Sequence, residues 1–367
     1  MEIDLNALRH NLKEIRRLVG PDIDIMAVVK AEAYGHGAVE IAKTALASGA
    51  NWLGVALPEE GIVLRRAGFT APILVFGALQ ANQVESFVNN KLIPAVCSEQ
   101  AAAALSQAAL AAGVIAPVHI KVDTGMGRIG VQPREAMAFI SKVSRLSGIK
   151  VSGIFSHLAT ADEKNKEYAL KQINTFTGVL TELKKAGLLP EKIHLANSAG
   201  IIDLPASYFN MVRPGIILYG LYPSAEVNRE RIQLKPVLSL KTRITFLKRV
   251  PKGAGISYGQ KYHLEREATI ATIPIGYADG WSRLLSGKAE AIVGGKKFPI
   301  VGTICMDQCM INLGDEPAEL GQEVVLIGRM GEVEIPADTV AGQMGTINYE
   351  VTCMLNGRVP RVYLHEE

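Results

Sequence analysis

Cysteine is scarce. Four residues in a chain of 367 make no disulfide framework. Cys305 and Cys309 are spaced C-x3-C, but no second pair and no nearby histidine complete a zinc set, so reduced, packed thiols and no metal site are expected. No apolar stretch reaches the roughly 18 uncharged residues that a bilayer span needs. The opening MEIDLNALRHNL has no apolar segment behind a basic one and does not read as a secretory signal. Long blocks of like charge are missing and the formal net charge is only +3, which removes the electrostatic case for nucleic acid or an anionic membrane. There is no strict internal repeat. What remains is the expectation of a soluble, cytoplasmic chain whose 48% apolar residues can build sizeable cores.

What is present is a beat. A short strand over 2–5 leads into a helix with Leu8, Leu12, Ile15 and Leu18 on one stripe, capped by Asp4 or Asn6 and stopped at Gly20-Pro21. Strands then alternate with helices: 25–30, 52–55, 73–76, 93–96, 118–122, 151–156, 193–195 and 210–213 are the strand readings. They are short, apolar and unalternating, as strands covered on both faces are. Eight such units predict a (β/α)8 TIM barrel over residues 7–227. Past Pro223 the beat stops. Alternating, β-branched segments separated by Gly, Pro and Asp predict a mainly antiparallel β domain over 228–367, joined by the opening strand within 1–6.

A barrel places its functional side chains at the C-terminal ends of its strands. Read in order, those ends are Lys30, Lys121 with Arg128 just beyond, Ser156-His157, His194-Leu-Ala-Asn197-Ser198, and Arg213 with Gly215-Ile216. His157 alone reads as a satisfied core histidine, and Ser198 alone as a helix cap. Together they predict a site for a phosphorylated or carboxylated ligand. Asn197-Ser198 and Gly215-Ile216 suit a phosphate at a loop–helix junction, and Tyr34 offers a further hydroxyl. A lysine at such a site points to pyridoxal 5′-phosphate held through Lys30 as a Schiff base. Gly125-Met-Gly-Arg-Ile-Gly130 matches G-x-G-x-x-G, but no acid stands about 20 residues on, where a dinucleotide site wants one. Those glycines are expected to let a tight turn present Arg128.

The stretch AVVKAEAYGHG (27–37) resembles the pyridoxal-phosphate attachment signature of alanine racemases. The resemblance continues through KVDTGMGRIG, SHLATADE, HLANSAG, VRPGIILYG, ISYGQKY, GYADGW, GTICMDQ and INYEV, almost the whole chain. It implies a racemase interconverting L- and D-alanine, a supplier of D-alanine for peptidoglycan precursors. Lys30 and Tyr258 are the two catalytic groups it implies, on opposite faces of the substrate, with Tyr258 supplied by the partner in a head-to-tail homodimer. It further implies that Tyr34, Ser198, Tyr349, Gly215 and Ile216 hold the phosphate and that Arg213 faces the pyridine nitrogen. His157 and Asn197 border the cofactor. Arg128 and Met306 meet the substrate carboxylate, Tyr277 and Asp307 stand at the substrate entrance, and Lys121 matches a lysine carbamylated in many members. Glu32 stands where many members have Asn or Asp and is expected to face away. The start is shorter than is usual in the family, so a chain trimmed from a longer polypeptide is expected. That raises an alternative, the catalytic domain of a membrane serine/alanine racemase of the vancomycin-resistance type, against which Tyr349 argues. A second alternative is a decarboxylase of the same fold, against which Arg213 and Tyr258 argue. A third is a non-catalytic cofactor-binding protein with a lone barrel, which the β domain argues against.

Overall fold

The computed structural model describes residues 1–365. The chain forms two compact units. One comprises Ala7–Ala33 and Ala38–Lys235; the other comprises Met1–Asn6, Tyr34–Gly37 and Pro236–Glu367.

The first strand, β1 (Glu2–Asp4), belongs to the second unit. The first unit is a closed barrel of eight strands: β2 (Asp24–Val28), β3 (Trp52–Val55), β4 (Ile73–Ala78), β5 (Ile93–Val96), β6 (Ala116–Lys121), β7 (Ile149–Phe155), β8 (Lys192–His194) and β9 (Met211–Val212). Every neighbouring pair is parallel, and β9 closes on β2 through Asp24–Met211 and Ile25–Val212. The predicted barrel is therefore present, with strand ends displaced by a residue or two. Helices over Ala38–Ala47, Pro58–Arg66, Glu99–Ala111, Pro133–Val143 and Glu167–Lys185 punctuate the strands. Pro58 and Pro133 open theirs, where a missing N–H costs nothing, and Ser98 caps Glu99–Ala111 through the Ala101 N–H. The interior holds an apolar layer of Met26, Trp52, Leu74, Ile93 and Met211, with Phe76 packed against it. Towards the strand C-termini the interior turns polar: His119, His194 and Arg213 are buried there.

One local prediction is overturned. The sequence predicts a strand running to Lys30 itself, yet β2 stops at Val28 and Lys30 opens a left-handed helical turn, Lys30–Tyr34. Ala31, Glu32, Ala33 and Tyr34 have φ of 51, 53, 53 and 55°. Each L-residue in that conformation costs about 1–2 kcal/mol, so neighbouring groups must hold the turn.

The second unit is a mainly antiparallel sheet. Its strands run Phe246–Val250, Ala268–Ile273, Cys309–Gly314, Lys296–Val301, Glu290–Val293, Glu323–Met330, Leu238–Arg243, Glu2–Asp4 and Val362–Leu364. β1 joins it as predicted, antiparallel to Leu238–Arg243 and parallel to Val362–Leu364. The single strand read over 241–250 is two. The Ile244 N–H bonds Gln322 O and the Thr245 N–H bonds Thr272 O, so the chain changes ladder partners between them. Val250, Ile256, Leu264, Ala268, Ile270 and Val301 form a compact core. Two short helices near the end, Ala337–Met344 and Asn348–Met354, are not anticipated by the strand-like reading of this region. Among the described residues no helix is long and apolar enough to cross a membrane.

Candidate active site

On the barrel, the strand ends carry Lys121, Ser156, His157, Asn197, Ser198, Arg213 and Gly215, and a hydrogen-bond network joins Arg213 to Ser156, His157, Leu195 and His194. Arg213 is its centre and is only 4% exposed. One terminal nitrogen, Nη2, donates to Ser156 O at 2.8 Å and Leu195 O at 3.0 Å, and to His157 Nδ1 at 3.4 Å. The other, Nη1, donates to His194 Nδ1 at 2.8 Å. Guanidinium only donates, so His194 Nδ1 must accept, and its proton sits on Nε2. That Nε2–H donates in turn to His119 Nδ1 at 2.9 Å, with both rings buried. Arg213, His194 and His119 thus form a directed chain in which both histidines are neutral. Nε of Arg213 donates to no group among the described residues, and with the second N–H of Nη1 it is left to donate to a ligand.

Burial sets the protonation states. His119 is pushed down to about 3 by burial, with the Arg213 charge adding to it. His194 and His157 are held well below the ordinary imidazole value, by burial first and Arg213 second. The same causes depress Lys121 to about 7 and Arg213 to about 9, although for Arg213 the second contributor is Arg128. Lys121 Nζ lies 5.0 Å from the Phe155 ring centroid and reaches only Val122 O, at 3.4 Å. It is an amine poised to be neutral near pH 7.

The neutral histidines carry a stability consequence. Their folded pKa values lie below the unfolded value of about 6.5. Their contribution is therefore complete above pH 6.5 and is lost as pH falls from there towards the folded values. Each of the fully buried pair, His119 and His194, removes about 1.4 kcal/mol per pH unit over that range. Urea midpoints measured from pH 7.5 to 5.5 are expected to fall, beginning above the carboxylate range. A flat profile down to pH 5 would contradict buried neutral histidines. Gly153 is what admits the His119 ring, since a Cβ there would lie 2.5 Å from it.

The anion-side candidates cluster at two junctions. Asn197 caps the short helix Ser198–Asp203 through the Gly200 N–H at 3.0 Å, and its Nδ2 donates to Leu158 O at 3.4 Å. Ser198 Oγ accepts the Gly215 N–H at 2.9 Å, at the start of the 3-10 turn Ile216–Tyr219. The Ser198 hydroxyl thus sits where two helical turns begin, a junction of the kind that suits a phosphate. The G-x-G-x-x-G stretch does something else: the N–H groups of Gly125 and Gly127 bond the Asp123 carboxylate at 3.0 and 3.1 Å. Those donors are spent on an internal acid, so no diphosphate cradle exists there. Arg128 is presented to solvent just beyond.

Lys30 is half-buried at the start of the left-handed turn. Glu32 points back along its own segment, with its carboxylate 3.4 Å from the Ala38 N–H.

The remaining candidates lie on the second unit. Tyr34 and Tyr349 come together there, with ring centroids 6.1 Å apart. Burial holds the Tyr34 hydroxyl firmly protonated. Tyr258 is 70% exposed, Met306 52% and Tyr277 42%. The Tyr258 turn is pinned by the Thr303 hydroxyl, which donates to Tyr258 O at 3.1 Å, and by Ser257 Oγ, which donates to Thr303 O at 2.5 Å. Ser257 itself has φ of 67°, so this turn too is held against preference. A cavity of about 400 Å³ borders it, lined in part by Tyr258, Cys305, Gln308 and Met310. Asp307 is exposed and pairs with Arg358 at 2.7 Å. The residues that sequence reasoning missed are supporting ones: His119, Glu60 and Thr303, and the pairing of His119 with His194, which the strand-end reading names only as the start of its segment. A buried histidine pair in a barrel interior leaves no periodic signal.

The comparisons agree with one another. The family profile described as alanine racemase, N-terminal domain, matches residues 3–223, and the C-terminal domain profile matches 237–363. The alanine racemase of Halothermothrix orenii is 49% identical over 364 residues, covering 99% of this chain and 96% of that relative. The solved alanine racemase of Clostridium difficile 630 superposes with a TM-score of 0.94 at 45% identity, covering 99% and 94% of the two chains. A histidine racemase from Leuconostoc mesenteroides superposes with a TM-score of 0.92 at 31% identity, covering 99% and 97%. Both units are thus matched in order and over nearly their full length, and the chain belongs to the alanine racemase family.

Proposed function

We propose that this protein interconverts L- and D-alanine with pyridoxal 5′-phosphate, using Lys30 and Tyr258 as the two proton-transfer groups. The observation that carries the reading is Arg213. Both its terminal nitrogens are engaged by carbonyls and neutral histidines, leaving Nε and the second N–H of Nη1 as donors. The barrel's donor set fits the cofactor: an amine at Lys30 for the aldehyde, the Ser198 hydroxyl with the 3-10 turn opened by Gly215 and Ile216 for the phosphate, and a guanidinium for the ring nitrogen; Tyr34 offers a further hydroxyl. Tyr349 stands beside Tyr34, and Asn197 and His157 support the rim. When bound, the cofactor draws electrons from the substrate Cα and acidifies its proton.

The protein decides what happens to that proton. A single base returns it to the face it left. Lys30 Nζ on one face and the Tyr258 hydroxyl on the other allow removal and delivery on opposite sides, which is inversion. Arg213, lowered only to about 9, keeps its proton near neutrality and offers a hydrogen bond instead of a proton. It therefore leaves the ring nitrogen unprotonated and moderates electron withdrawal, which favours simple proton transfer over loss of carbon dioxide or transamination. Arg128 and Met306 receive the substrate carboxylate, Tyr277 and Asp307 border its entrance, and Lys121, neutral enough to take up carbon dioxide as a carbamate, orients Arg128. The exposure of Tyr258, Met306 and Tyr277 suits residues that complete the site of a second copy, and we read the working form as a homodimer.

The likeness to a histidine racemase makes substrate choice the point to measure. D/L interconversion of alanine, serine, lysine and histidine by the purified protein, with and without added pyridoxal phosphate, tests the reading. Alanine turnover that rises with the cofactor is the expected result. Faster turnover of serine or histidine would overturn the alanine assignment, and carbon dioxide release would revive the decarboxylase.

A further inference from the structure

The left-handed turn after Lys30 is held from one side by a single carboxylate. Glu60 Oε1 accepts the Ala31 N–H at 2.6 Å, the residue next to Lys30. Glu60 Oε2 accepts the Ala56 N–H at 2.7 Å and the Leu57 N–H at 3.1 Å, closing the start of the helix Pro58–Arg66. One side chain thus ties the strained turn to the loop after β3. Ala33 is fully buried, but on the Glu60 side a space of about 170 Å³ borders the turn, lined in part by Val29, Val55, Val63 and Leu64 alongside Glu32 and Glu60. Within the turn the Ala33 N–H also bonds Val29 O, at 2.9 Å.

We propose that Glu60 is a positioning residue for the racemase reaction: its carboxylate fixes the backbone that aims Lys30. The inference rests on the assignment of Lys30 to proton transfer. It separates two jobs on two oxygens. A glutamine at 60 has one acceptor oxygen, and the side with two N–H donors, Ala56 and Leu57, claims it. The amide nitrogen then faces the Ala31 N–H, where two donors meet and no bond forms. Glu60→Gln therefore keeps the helix start and releases the turn. Glu60→Asp does the same by reach, since a chain one methylene shorter cannot span both partners.

The experiment uses the full chain, with and without pyridoxal phosphate. Amide hydrogen exchange over residues 27–34 is measured without the cofactor, and steady-state kinetics on alanine with it. Glu60→Gln and Glu60→Asp are both expected to speed exchange at Ala31 by tenfold or more. They are also expected to lower kcat about tenfold, with KM within twofold and an unchanged unfolding midpoint. Unchanged exchange at Ala31, or a loss confined to the unfolding midpoint with kcat intact, overturns the proposal. If the wild-type protein racemises nothing, the functional reading fails, while the exchange result still decides whether Glu60 holds the turn.

Discussion

Tyr258→Phe is expected to lower alanine racemisation by 10²- to 10⁴-fold, the usual range for losing one positioned acid–base group. The phenyl ring keeps the shape and removes only the hydroxyl. Because the side chain is 70% exposed and its turn is held by backbone and by Thr303 and Ser257, folding should be untouched. Lys30→Ala is the contrasting variant: it is expected to lose turnover and the absorbance of bound cofactor together, whereas Tyr258→Phe keeps the absorbance. The two-base reading makes a finer demand. With Tyr258 gone, solvent hydrogen exchange at the substrate Cα through Lys30 should persist for one enantiomer and vanish for the other. Equal exchange for both, or undiminished racemisation, would remove Tyr258 from the reaction.

Gly35→Ala is expected to cost roughly 2–5 kcal/mol, a large share of the 5–15 kcal/mol that keeps a typical domain folded. The left-handed backbone is only part of the reason. Gly35 has φ of +86°, but Ala31 to Tyr34 already take φ near +50° with side chains. What Gly35 cannot accept is volume: a Cβ would lie 2.1 Å from the carbonyl oxygen of Thr352, a backbone atom in the helix that also bears Tyr349. Relief requires moving that helix or breaking the bond from Arg361 Nε to Gly35 O, 2.9 Å long. Tyr34, the preceding residue, moves with it, so weaker retention of pyridoxal phosphate should accompany the lower unfolding midpoint. A variant within 1 kcal/mol of the parent would show that the helix yields freely.

Much of this protein is legible in one dimension. The barrel follows from eight short apolar strands alternating with amphipathic helices, because a strand buried on both faces has no polar side to show. The stop after Pro223 and the alternating segments beyond it announce a sheet with a solvent face. The candidate residues stand at strand ends, where a barrel puts chemistry, and the family resemblance names them. Three things were not legible. Ala31-Glu32-Ala33-Tyr34 is composed of ordinary right-handed formers, and its left-handed turn is held in part by Glu60, about 30 residues away in sequence, which takes the Ala31 N–H. The G-x-G-x-x-G loop looks like a phosphate cradle until the Asp123 carboxylate is seen to occupy its donors.

The third is the state of Arg213. Sequence alone determines that a guanidinium ends the last barrel strand, because barrel periodicity places it there. Only the closed barrel decides that its terminal nitrogens are engaged by Ser156, Leu195 and the His194–His119 chain. Those partners come from β6, from the ends of β7 and β8, and from the loops just beyond. No local pattern can join them, because hydrogen-bond direction and burial are properties of the packed interior and the protonation of each histidine follows from both.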